Sequence, residues 1–287
     1  LLTSVPGSTA QMVDEGLIKP GLLRILGAAK ELVDSVLASA LMVLNRIAFD
    51  DTQKDIVDLR TILQALISIC HDRTDPEVLL LATEALYRSA SEAGLEADLV
   101  TAIPAVLHVS AHCLESGVSC AGSSKETYLR VVENTMKVIL RLSEQQRSPN
   151  VSLSTDEANE WLGEGAVSEE QSHKVRLATK EVVDLLGEVY NRLPSAGEGA
   201  LGGLQAATLV CANLLTDPQS RPQILAILRD GEKTETLTTA LAMLIVANTG
   251  SLESTAACSP STAGMQAKEV AATAVLILQE SSAEQDL

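Results

Sequence analysis

Across 287 residues, a hydrophobic share of 46% excludes a chain disordered throughout, and an aromatic share of 2% leaves the core to Leu, Val, Ala and Ile, which favours packed helices over an all-β fold. A formal charge of −17 argues against nucleic acid as partner, because phosphates are repelled, and favours a protein segment of basic character, or simply an acidic surface that keeps the chain in solution. The longest apolar run, Ala240 to Ala247, falls short of the roughly 18 residues that a membrane-spanning helix needs, so no membrane insertion is expected.

The chain opens on Leu1 rather than Met and without a secretory or transit segment, which leaves its native start open; residues 1–10 read as a flexible lead-in. In "KELVDSVLASALMVLNRIAF", residues 30–49, Leu32, Val36, Ala40, Val43 and Ile47 recur at spacings of three and four and predict one buried helix face, closed by Phe49. After a short acidic break, "TQKDIVDLRTILQALISIC" predicts a helix with Thr52 as N-cap and Asp55 at the third position. Residues 74–94 predict the next: Asp75 caps it, Pro76 suits its first position, Glu77 faces its positive end and Gly94 stops it. Pro104 inside "LEADLVTAIPAVLHVSAHCLESG" predicts a split near Thr101 to Ile103.

Ser123 and Glu126 stand at capping-box spacing ahead of a long helix. Residues 147–168 form an acidic insert or linker around Asp156, Glu157, Glu160 and Glu164. Helical order resumes at Ser168, breaks at "LPSAGEGALGG", and continues through short helices from Leu204, from Asp217-Pro218 and from Thr234. A mobile Ser, Thr, Ala and Gly loop follows at 251–264, then a last helix and an acidic end. The expected organisation is thus a flexible segment at 1–10, helical repeats over 11–146, the insert at 147–168 and further helical repeats over 169–287.

Helix starts near Lys30, Asp75 and Ser123 are 45 and 48 residues apart, close to the period of two- or three-helix repeats. One hairpin cannot bury its apolar face alone, so such units stack. The stretch "EGLIKPGLLRILGAAKELVDSVLASALMVLNRIAFDDTQKDIVDL" resembles an armadillo repeat, with a Gly-led short helix, a second apolar helix, a third ending in Asn, Ile and Ala, and an acidic turn. "DLRTILQALISICHDRTDPEVLLLATEALYRSA" resembles a second unit, and the helices on either side of Cys120 a third; the resemblance spans about 15–145 and extends loosely over 173–280. It departs from the family at Asp58-Leu59, where a glycine is usual, and in the insert after Arg147.

What the resemblance implies is an all-α, armadillo/HEAT-like right-handed superhelical solenoid of stacked hairpins, a non-enzymatic scaffold or adaptor without a cofactor, holding a partner protein along its surface. Asn45, Asp50, Asp51, Asp55, Asp58 and Trp161 are the expected partner-binding residues. Isolated Asn45 and a single Trp disfavour an importin-type groove; the acidic, Leu-rich character looks more like the small-GTPase dissociation stimulators or the myosin chaperones of the family. The alternative is a helical spacer in an ectodomain, similar to receptor-for-egg-jelly and polycystin-like proteins, which would use the sequon at Asn150.

Chemical signatures are sparse. His108, His112 and Cys113 hold the i, i+4 spacing of a metal-ligand pair but lack a second cluster, and His71 and His173 stand apart, so all are read as packed or surface side chains. Gly197 to Gly202 matches G-x-G-x-x-G in letters but follows a helix rather than a strand, so it reads as a joint between helices. Asp50, Asp51, Asp55 and Asp58 read as solvated turn acids before they read as a general acid and base. Five cysteines, odd in number and without a CxxC pair, fit a reducing, cytoplasmic compartment; Cys120 and Cys258, in loops, fit the extracellular alternative.

Overall fold

Short-range signals set where each helix begins, and long-range packing sets which side it buries. The computed structural model describes residues 18–47, 59–90, 99–120, 122–147, 169–216, 221–228, 239–242, 244–245 and 272–277; among them there is no β-strand, so the chain is all-α. It divides into two compact units, Leu1–Val138 and Ile139–Leu287, with the division inside one helix.

In the first unit, α1 (Ile18–Gly27) leads through a 3-10 turn (Ala29–Glu31) and an extended Leu32 into α2 (Asp34–Ile47). There follow α3 (Leu59–Asp72), α4 (Pro76–Ser89), α5 (Ile103–Ser119) and the start of α6 (Ser123–Arg147). The start of α4 follows the sequence signal: the Asp75 carboxylate accepts from the Glu77 and Val78 amides at 3.1 and 3.0 Å, and Pro76 opens the helix with no amide to satisfy. Such a cap contributes about 1 kcal/mol. Pro104 falls in the first turn of α5, behind a turn at Thr101 and Ala102, so the expected split is present. α6 begins at Ser123, immediately after Gly122, whose φ of 82° is a left-handed backbone that suits glycine.

The buried face of α2 differs from the expected one. Leu37, Ala38, Leu41 and Leu44 join Ala40 inside, whereas Val36 is 49% exposed and Val43 only half-buried. Ser35, Ser39 and Arg46 share the exposed polar face, but the apolar arc opposite is broad enough to hold both the valines and the leucines, so periodicity alone leaves the rotation open within it, and the leucines bury more area than the valines. Thr52, Asp55 and Gly94, expected at helix ends, lie outside the described residues.

Among the described helices of this unit, packing joins those that are neighbours or next but one in the order given. α1 touches α2 and α3, α2 touches α4, and α3 touches α4 and α5; α2 on α4 is the most extensive of these contacts. Fully buried Leu37, Leu41, Leu44, Leu63, Leu66, Leu79 and Leu86 fill the core, each contributing about 1.5–3 kcal/mol relative to exposure. α5 meets α6 at Gly117, where an added Cβ would lie 3.3 Å from the Cβ of Tyr128, and at a buried pair in which the Thr135 hydroxyl donates to Ser110 Oγ at 3.1 Å.

In the second unit, α7 (Glu169–Arg192) buries Val182, Val183, Leu185, Leu186, Val189 and Tyr190 at helical spacing. Two 3-10 turns (Leu193–Ala196 and Glu198–Ala200) flank Gly197, whose φ of 86° explains the glycine there. α8 (Leu201–Thr216) and α9 (Arg221–Leu228) follow, and α7, α8 and α9 all touch one another. The Tyr190 hydroxyl donates to Thr208 Oγ1 at 3.2 Å, and Asn213 Nδ2 donates to Ser143 Oγ near the end of α6 at 3.0 Å. The G-x-G-x-x-G letters therefore span a helix-to-helix joint, with Gly202 already inside α8. Helical stretches at 239–242, 244–245 and 272–277 complete what is described, and the loop expected at 251–264 lies outside it.

Candidate functional site

Of the six residues expected to meet a partner, only Asn45 is described; Asp50, Asp51, Asp55, Asp58 and Trp161 lie outside the described residues. Asn45 is 7% exposed, and its Nδ2 donates across to the Leu81 carbonyl of α4 at 2.9 Å. Its own carbonyl, one of the last in α2, accepts from Arg88 Nη1 at 2.8 Å, and Arg88 also holds Glu84 at 2.7 Å. The amide therefore fastens α2 to α4 from inside, while its Oδ1 is buried with no hydrogen-bond partner.

A second arginine makes a matching clasp at the joint between α1 and α2. Arg73, directly after α3, donates through Nη1 to Asp34 Oδ1 at 2.7 Å and through Nη2 to the carbonyls of Leu32, at 2.8 Å, and Ala29. Its side chain is 18% exposed. The planar fork suits several acceptors at once, which a lysine ammonium does not reproduce. Beside it, Asp72 takes Lys30 Nζ at 3.0 Å and the Ser68 hydroxyl at 3.0 Å, and these contacts, Lys30 first, hold its exposed carboxyl below the usual carboxylate range.

His108 and His112 do not converge on a common point. His108 stacks on His71 of α3, with ring centres 5.5 Å apart and 23° between the planes. His112 instead sets its ring edgewise to Tyr128 of α6 at 6.2 Å and 86°, with Nε2 buried and without a hydrogen-bond partner. Among the described residues no group of three or more His, Cys, Asp or Glu is placed to hold a metal ion.

Cys70, Cys113 and Cys211 are buried free thiols, each pushed up to about 12 by removal from water. A thiol so placed stays protonated and serves as a small apolar side chain, not as a nucleophile. Cys120 is exposed.

Charge is distributed unevenly between the described residues and the others. The described residues hold sixteen acids and seventeen bases, so the surplus behind the −17 total falls wholly in the other residues, Asp50, Asp51, Asp55, Asp58 and the 156–164 stretch among them. No described helix is long and apolar enough to cross a membrane. Sequence reasoning missed Arg73 and Arg88, because an arginine beside a helix end has no periodic signature and its acceptors lie 39 to 44 residues away in the chain. Comparison with protein-family models, with curated proteins and with solved structures gives no match.

Proposed function

We propose that this chain is a non-enzymatic protein-interaction scaffold, built as an armadillo/HEAT-like right-handed solenoid of stacked helical hairpins, that holds a basic segment of a partner protein. The observation that carries the reading is the packing of the first unit, where α1 lies on α3, α2 on α4 and α3 on α5. Described helices that are next but one in order then pair as stacked hairpins do when each unit buries its apolar face on the next. The two arginine clasps support it, because each ties one hairpin to the hairpin before it. A reducing, cytoplasmic setting fits three buried thiols that act as core side chains.

The basic partner follows from charge. Since the described helices are close to neutral, the attraction is assigned to acids among the other residues, Asp50, Asp51, Asp55 and Asp58 foremost. The test is capture of Lys/Arg-rich and composition-matched neutral peptides on the immobilised full chain at ~0.1 M and ~1 M salt, between which the screening length falls from about 10 Å to about 3 Å. Selective retention of the basic peptides at low salt, lost in a variant with all four acids changed to Asn, is the expected result. Equal retention of both peptides, or retention indifferent to salt, overturns the charge argument. Small-angle scattering tests the architecture, since a closed bundle gives a far smaller radius of gyration than an advancing row.

A further inference from the structure

We draw no further inference here: the strongest candidate, the exposed apolar side chains Ile25, Val33, Val36 and Met42 on the first two helices and the joint between them, carries nothing because nothing in the structure shows what covers it.

Discussion

Replacing Arg73 by alanine isolates the contribution of one clasp between the end of α3 and the joint of α1 with α2. Three bonds are lost, to Asp34 Oδ1 and to the carbonyls of Leu32 and Ala29. Asp34 is 45% exposed, so its ion pair is screened and contributes only ~0.5–1 kcal/mol. The carbonyls count for more: a hydrogen bond from a charged donor is worth about 1.5–3 kcal/mol, less whatever water recovers once the guanidinium leaves. The expected loss is about 2–4 kcal/mol, read as a fall in the urea midpoint of ~1–2 M for a slope near 2 kcal/mol per molar, with the far-UV circular dichroism of the full chain as the signal. Because carbonyls dominate, most of the loss persists at ~1 M salt. Arg73→Lys keeps the charge beside Asp34 without the fork and recovers less than half. A loss under ~0.5 kcal/mol, typical of an indifferent surface change, or full recovery by lysine, refutes the clasp.

Four further outcomes follow from the same geometry. The folded pKa of Cys70, Cys113 and Cys211 is raised, so their contribution is complete below the ordinary value of 9.0 and is lost as pH climbs toward about 12. At pH ~10 each thiol forfeits about 1 kcal/mol, a drop that alanine at the three positions removes, and in the native chain at neutral pH a maleimide labels Cys120 while sparing these three. Gly117→Ala is near neutral in thermal melts, since the gain in helix propensity offsets a few tenths of an ångström of separation from Tyr128, whereas Gly117→Leu costs about 1–3 kcal/mol by overpacking. Asn45→Ala loses one bond but also removes the unpartnered Oδ1, for a net loss under ~1 kcal/mol; Asn45→Asp sets a carboxylate oxygen against the Leu81 carbonyl and is clearly worse in urea unfolding. Asp72 has a depressed folded pKa, so its pair with Lys30 stabilises above the ordinary carboxylate range and is lost as pH falls through the lowered value; Lys30→Ala shifts the Asp72 carboxyl titration upward by NMR.

Much of the secondary structure was readable because its causes act within one turn of helix. Asp75 and Pro76 start α4, Pro104 marks the head of α5, and the residues from Leu193 to Ala200 break α7 from α8, as their side chains dictate wherever they occur. Composition likewise pointed to an all-α chain, since Leu, Ala and Val without aromatics supply helices and little else.

The candidate site was far less legible. Asn45 sits in a sequence context that suits a binding residue, yet its amide is held by the Leu81 carbonyl, a partner 36 residues away. His108 and His112 share a helix face by spacing, but α3 offers one of them a ring to stack on and α6 offers the other an edge. The acidity of the whole chain also concealed a near-neutral balance among the described residues.

By itself the sequence determined that the chain is helical and where several of its helices start, through caps, prolines and apolar spacing that need no distant neighbour. Tertiary structure alone decided that α2 buries its leucines and exposes Val36, that Arg73 and Arg88 reach back to the two ends of α2, and that the compact units divide inside α6. The reason is that a modest rotation within a broad apolar arc barely changes local energy, so the area buried against other helices makes the choice.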